Sequence, residues 1–223
     1  ELVEAHVSNR SDLEMIISDE RAQVLETGGG LAKARPLLGD DPILVVNTDA
    51  FWAPAGPEPL FELASAFDTE RMDELLLLAD TARCLGFPGA GDFFREADGQ
   101  LSRRGEAPRA PWAYAGVRIL KPQLYDGAPV EPFSANRIWN DLLPRGRVFG
   151  QPLDRFWLHV GDPQALKDAE FWLRCHGAGQ SYLIRQAPRS FPFLQARTFS
   201  VSLQSNWRKR PILQTIRKPW LKP

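Results

Sequence analysis

The sequence predicts an α/β protein whose sheet starts out mainly parallel and turns mixed in its second half. Two apolar runs carry most of that prediction: ILVV at 43–46, set between Asp-Asp-Pro and Asn-Thr-Asp, and LLLL at 75–78. Short apolar runs with polar or turn-forming flanks fit strands buried on both faces, the usual state of a parallel strand. The third observation is the helical pattern of residues 59–67 between them, because strands separated by helices at this spacing make βαβ units.

The remaining elements follow in order. Residues 1–7 (ELVEAHV) read as the end of a helix with Leu2, Val3 and His6 on one side, and 13–17 (LEMII) as a short strand. A loop is expected at 27–30, then a helix over 31–38 ended by Gly39. Beyond LLLL the pattern changes. Residues 93–96 and 101–103 flank Ala97-Asp98-Gly99, and Asp-Gly favours a tight turn, so a hairpin is expected. Residues 112–120 (WAYAGVRIL) read as a strand, 136–143 as a short helix and 155–160 as another strand. Asp162 followed by Pro163 is a helix start, a capping acceptor before a residue with no N–H to satisfy, so 163–170 is expected to be helical.

The chain has 223 residues, 27 Lys and Arg against 28 Asp and Glu, and 43% hydrophobic residues. That suits a globular core and excludes collagen-like, coiled-coil and fully disordered chains. No apolar run approaches the roughly 18 residues of a membrane-spanning helix. Residues 1–14 lack the basic-then-apolar pattern of a signal peptide. Cys84 and Cys175 give neither a disulfide framework nor metal-ligand spacing. A cytoplasmic location and no membrane partner are expected.

The net charge of −1 conceals a division. All 28 acidic residues lie at or before Glu170, whereas residues 171–223 hold ten Lys and Arg and no acid. The first 170 residues therefore carry −11 and the rest +10. An asymmetry this sharp divides the chain into a body, 1–170, and a basic tail, 171–223.

Three places carry candidate chemistry. Glu26-Thr27-Gly28-Gly29-Gly30 precedes a helical segment; glycines admit a ligand close to the backbone, and N–H groups at a helix start favour an anion or a polar base edge. The alternative is a flexible loop. Asn47 and Asp49 follow the ILVV strand, and ligands of open α/β sheets collect beyond strand C-termini. There Asp49 is either a Mg²⁺ ligand acting with substrate phosphates or a loop cap. Asp80, after LLLL, reads as a cap. His159, alternating with apolar neighbours in WLHVG, is either a structural histidine or a ligand. No Ser-His-Asp order, HExxH motif, Walker loop or GxGxxG is present. Residue chemistry alone therefore reaches an α/β binder of nucleotide or phosphate.

Five segments, in order, take the reading further: 25–52 (LETGGGLAKARPLLGDDPILVVNTDAFW), 91–105 (GDFFREADGQLSRRG), 114–122 (YAGVRILKP), 133–143 (FSANRIWNDLL) and 157–170 (WLHVGDPQALKDAE). Together they resemble the sugar-phosphate nucleotidyltransferases, most closely the N-acetylmuramate-1-phosphate uridylyltransferases and the mannose-1-phosphate guanylyltransferase-like enzymes. The resemblance implies a Rossmann-like three-layer α/β/α fold of the GT-A-like type. It also implies transfer of a nucleotidyl group from an NTP to a sugar 1-phosphate, with Mg²⁺, releasing pyrophosphate. UTP with N-acetylmuramate 1-phosphate is favoured and GTP with mannose 1-phosphate is the alternative, the competing class being a non-catalytic nucleotide- or nucleic-acid-binding protein. By the same resemblance Glu26, Thr27, Gly28, Gly29, Gly30 and Asn47 lie on the nucleotide side, and Asp49 is the catalytic metal-binding carboxylate. Gly91, Asp92, Tyr114, Gly116, Ser134 and Asn136 lie on the sugar side.

Two departures qualify the match. Family members often carry an aspartate before Val-Gly on the last strand as a second metal ligand; here His159 stands there, and imidazole suits hard Mg²⁺ poorly. It either weakens that contact or addresses phosphate or sugar. Nothing of the family's form GxGxR…PK precedes Glu1, so the body is expected to be an N-terminally truncated version of the fold with weak or no transfer by itself. The tail matches no part of the family. Its clusters WRKR (207–210) and IRKPW (216–220) suit a nucleic-acid-binding arm, while its lack of acids suits out-of-frame sequence with little stable packing.

Overall fold

The computed structural model describes residues 2–9, 14–176, 198–201 and 212–217. The chain begins α1 (Leu2–Ser8), β1 (Glu14–Asp19), α2 (Glu26–Leu38), β2 (Ile43–Asn47), β3 (Ala50–Ala53), α3 (Glu58–Ala66) and β4 (Glu74–Asp80). It continues through β5 (Cys84–Leu85), the hairpin β6 (Phe93–Arg95) and β7 (Leu101–Arg103), β8 (Trp112–Leu120) and α4 (Asn136–Leu142). Then come β9 (Val148–Pro152), β10 (Phe156–His159), α5 (Pro163–His176), β11 (Thr198–Val201) and β12 (Ile212–Arg217).

The large sheet runs β1-β12-β11-β2-β8-β4-β9, with the β6–β7 hairpin set against β8. The apolar runs form β2 and β4, but the two are not neighbours: β8 lies between them, antiparallel to both. The sheet is mixed, as expected, but its first half is not mainly parallel, since an antiparallel strand separates the two apolar runs. The βαβ logic survives in strand direction, since β11 runs parallel to β2 and β9 parallel to β4. Reading strands from local pattern cannot reveal a partner inserted from farther along the chain. β3, β5 and β9 were not expected either. The first two make a small second sheet on β10.

Alternation along the strands separates two apolar faces. Leu75, Leu77, Ala113, Ala115, Val117 and Ile119 share one core with Leu63 of α3 and Trp157 of β10. On the opposite face Ile43, Val45 and Leu120 meet Leu31 and Leu38 of α2, and Leu76, Leu78 and Val148 meet Trp139 and Leu142 of α4. Fully buried leucines contribute about 1.5–3 kcal/mol each relative to exposure, so these faces fix the three-layer α/β/α order. Among the described residues no helix is long and apolar enough to cross a membrane.

Two details correct the sequence reading locally. Residues 27–30 are not a loop, because α2 already begins at Glu26, whose φ is +57°. The glycines lie buried in its first turn, packed against residues 131–133 and Glu20 so closely that any Cβ would collide. Gly28 and Gly29 donate their N–H groups to the Phe133 carbonyl at 2.8 and 3.1 Å, so these two are spent inside the protein. The second is the end of the helix that opens at Asp162. Helix α5, capped as expected by Asp162 Oδ1 accepting from Gln164 N and Ala165 N at 2.9 Å, runs past Glu170 to His176. Two tail segments then pair into the sheet, β11 beside β2 and β12 between β11 and β1. An edge strand offers unpaired backbone groups, and β11 satisfies those of β2. The basic cluster 207–210 lies outside the described residues, as do 218–220 of the second cluster.

Candidate active site

Beyond the C-terminal end of β2 lies a cavity of about 230 Å³. Three backbone devices shape it. Gly116, at φ +86°, sits within a bulge where β8 gains residues relative to β4 between Leu76 and Leu78. Bulges re-aim side chains and recur beside active sites, and this one is flanked by Tyr114 and Arg118, both lining the cavity. Gly91, at φ +84°, packs where a Cβ would strike the Ala110 carbonyl, and it sets the position of Asp92. The β3–β10 pairing places His159 opposite Ala50, so that Val160 N–H donates to the Asp49 carbonyl at 2.7 Å.

That pairing sets Asp49 Oδ2 at 3.8 Å from His159 Nε2. The other ring nitrogen, Nδ1, is 3.3 Å from the Gly86 carbonyl. A carbonyl only accepts, so Nδ1 carries a proton and Nε2 is left either as a lone pair or, in the imidazolium, as a donor facing Asp49. Burial pushes the Asp49 carboxyl above its ordinary value, while a charged His159 pulls it back. Gly161 leaves room for the imidazole ring, and Phe87 and Trp157 pack beside it.

A second wall is polar. Asp92 Oδ2 accepts from Tyr114 N–H at 2.9 Å, and Thr27 Oγ1 accepts from Ala135 N–H at 2.9 Å, tying the start of α2 to the segment before α4. Asn136 donates to Ser134 Oγ through both its backbone N and Nδ2, at 3.2 and 3.1 Å. Beneath lies a buried network: Trp139 Nε1 donates to Glu74 Oε2 at 2.5 Å, Arg118 Nη1 stands 3.4 Å from the same oxygen, and Arg118 Nη2 donates to Tyr125 Oη at 3.3 Å. Burial pushes Glu74, Tyr114 and Tyr125 towards their neutral forms.

Of the residues singled out in the sequence, Thr27, Asn47, Asp49, Asp92 and Tyr114 come together around this cavity. Gly116, Ser134, Asn136 and His159 join them there. Glu26, Gly28, Gly29, Gly30 and Gly91 are not among the lining residues. Asp80 caps its own turn, accepting from Ala82 N–H at 2.8 Å. Sequence reasoning missed Arg118 and Trp139. The signal was available: Arg118 interrupts the apolar run GVRIL, and Glu74 stands directly before LLLL.

Among the described residues no three His, Cys, Asp or Glu side chains converge on one point to hold a metal ion. Magnesium keeps much of its water and is commonly held by one or two carboxylates together with substrate phosphates. Asp49 fits an ion of that kind, arriving with a nucleotide, and not a permanently caged one.

No protein-family model matches the chain. It is 43% identical over 174 residues to the N-acetylmuramate alpha-1-phosphate uridylyltransferase of Caulobacter vibrioides, covering 76% of this chain and 72% of that one. It is 31% identical over 156 residues to the protein of the same name from Neisseria meningitidis serogroup B and spans 64% of its length, just under two thirds. Among solved structures, the inositol-1-phosphate CTP transferase from T. maritima superposes with a TM-score of 0.51 at 13% identity, over 71% of this chain and 65% of that one. At that identity the likeness speaks for the nucleotidyltransferase fold alone.

Proposed function

The chain belongs to the family of N-acetylmuramate α-1-phosphate uridylyltransferases, and we propose that it transfers the uridylyl group of UTP to N-acetylmuramate 1-phosphate. An oxygen of the sugar phosphate attacks the α-phosphorus in line. The bond from that phosphorus to the bridging oxygen breaks, and pyrophosphate leaves with the electron pair. Such chemistry needs little covalent help from the protein, so positioning and charge neutralisation dominate. The observation that carries the reading is the pairing of Asp49 with His159 on one side of a cavity whose other side presents Asp92, Ser134 and Asn136.

Asp49 would hold Mg²⁺, which when bound neutralises charge building on the triphosphate. His159, with Nδ1 on the Gly86 carbonyl, would present Nε2–H to a phosphate oxygen in its protonated form. Thr27 and Asn47 would face the nucleotide; the glycines 28–30 would act through the docking of α2. Asp92, Tyr114, Gly116, Ser134 and Asn136 would face the sugar, with Gly91 holding Asp92 in place.

The test pairs a binding measurement with turnover. Magnesium-dependent UTP binding is expected, stronger than that of GTP, with weak pyrophosphate release on adding N-acetylmuramate 1-phosphate. Asp49→Asn should lower the rate by about 10²–10³-fold, the scale of losing one electrostatic stabiliser. Equal release with GTP and mannose 1-phosphate, or an Asp49→Asn variant as active as the parent, would refute the proposal.

A further inference from the structure

Resting on that reading, we infer that Arg103 is a positioning residue that fixes the hydrogen-bond polarity of the sugar side of the cavity. Arg103 ends β7, and its guanidinium lies 5.1 Å from the Phe93 ring centroid and 5.5 Å from that of Trp139. Two cation–π contacts therefore hold the group in place. From there Nη2 donates to Asn136 Oδ1 at 2.8 Å and to Asn140 Oδ1 at 2.9 Å, which occupies both its hydrogens.

A guanidinium has donors and no acceptor, so the Asn136 atom it faces is the amide oxygen. The amide nitrogen is thereby turned towards Ser134. Asn136 Nδ2 and the Asn136 backbone N both donate to Ser134 Oγ, filling the two lone pairs of that hydroxyl. Ser134 is left with one capacity, to donate its O–H, and Asn136 Nδ2 keeps one hydrogen. Both residues line the cavity. A relay that starts at a residue outside the lining thus turns two ambivalent groups into donors.

Donors favour substrate oxygens that only accept. On the proposed substrate, besides the phosphate oxygens that every sugar 1-phosphate carries, these are the acetamido carbonyl and the lactyl carboxylate, the latter forming the stronger, charge-assisted bond. Three sugar 1-phosphates separate the two: N-acetylmuramate has both groups, N-acetylglucosamine has the acetamido alone, and glucose has neither.

Titration calorimetry on the full chain measures the affinity of each sugar 1-phosphate, and of UTP with Mg²⁺, for the parent and four variants: Arg103→Met, Arg103→Lys, Ser134→Ala and the Met/Ala double. Arg103→Met keeps the stem between the rings but removes the donor. It should weaken N-acetylmuramate 1-phosphate about tenfold, the scale of one oriented hydrogen bond, and leave UTP within about twofold. Arg103→Lys should regain most of the loss, because an ammonium still donates to Asn136. The double variant should lose less than the product of the two single losses, since Arg103 acts in part through that hydroxyl and in part through Asn136. An equal loss for N-acetylglucosamine 1-phosphate assigns the donors to the acetamido group, and no loss there assigns them to the carboxylate; glucose 1-phosphate should not respond.

Equal losses for UTP and sugar, losses that multiply in the double variant, or no loss in Arg103→Met would each overturn the inference. Should Arg103→Met fail to fold, Asn136→Asp serves instead. It keeps an acceptor for Arg103 but lets Ser134 turn its O–H onto the new carboxylate, so unchanged sugar affinity would overturn the relay equally. A parent that binds UTP but no sugar 1-phosphate removes this inference, whereas one that binds neither removes the proposed function itself.

Discussion

Glu74 is fully buried and Arg118 is 1% exposed, and neither would be tolerable there without the other. Their 3.4 Å pairing beneath the cavity is reinforced by Trp139 Nε1 on the same carboxylate oxygen. A buried pair adds little net stability over a well-packed apolar replacement, yet breaking one from a single side strands a charge and costs about 3–5 kcal/mol. Glu74→Leu alone should therefore lower the melting temperature by on the order of 10 °C, given roughly 2–4 °C per kcal/mol at this size. Adding Arg118→Met should recover more than half of that loss. Melting curves that show the two losses simply adding would mean that the ion pair is not coupled. The same residues mark the limit of sequence reading at this scale. Asp49 drew attention because it follows an apolar strand run, where strand ends collect ligands, and His159 because it alternates with apolar neighbours; both line the cavity. Glu74 and Arg118 left a weaker signal, a charge at or within an apolar run, which reads as facing solvent until the opposite layer is known.

Among elements, the central strands are fastened at one end by a single carboxylate. Asp73, just before β4, accepts from Arg147, which precedes β9, through Nε at 3.0 Å and Nη2 at 2.8 Å. It also accepts from Lys121, which follows β8, at 2.8 Å. The hydrogen bonds from Arg147, aided by Lys121 and opposed by burial, hold the Asp73 carboxyl below its ordinary value. The folded state therefore binds fewer protons than the unfolded chain in the window below that value. The stabilisation is fully present above the ordinary aspartate pKa of about 3.9 and is lost as pH falls through the lowered folded one. Partial exposure limits it to about 1 kcal/mol. Asp73→Asn should unfold about 2–4 °C earlier at pH 7, with the gap closing as pH is lowered from about 4. A gap that stays constant across that range would show that the clamp is packing and not charge. Element identity was largely legible, from the hairpin at Asp98-Gly99 to the cap at Asp162. Strand order was not, because β8 reaches its place between β2 and β4 through pairing distant in sequence. The glycines 28–30 read as a loop for a related reason: the small size of Gly28 and Gly29 serves the close approach of Phe133 and Glu131, and that of Gly30 the approach of Glu20, contacts invisible before the fold.

At the scale of the whole molecule, the charge division seen in the sequence, −11 before Phe171 and +10 from there on, does not coincide with a structural break. Helix α5 crosses that point, and β11 and β12 bring two pieces of the basic segment into the sheet of the acidic body. Their pairing was hidden because TFSV and ILQTIR are too short to establish a period in the windows that reveal one. The consequence is specific. In the sheet order, β1 reaches β2 only through β12 and β11, so the tail strands bridge the sheet's N-terminal strand to its centre. A chain ending at His176 would keep α5, leave the β2 edge unpaired on the side away from β8, and leave β1 without its strand partner. Alternate β2 amides between Ile43 and Asn47 should then exchange with deuterium at least about tenfold faster, because each loses its only backbone acceptor. Those pointing to β8 should stay protected. An exposed, apolar edge also invites pairing between molecules, so the shortened chain should elute partly as dimer or larger species, whereas the full chain should not. Unchanged exchange at 43–47 together with an unchanged elution profile would show that the tail strands contribute nothing to the sheet.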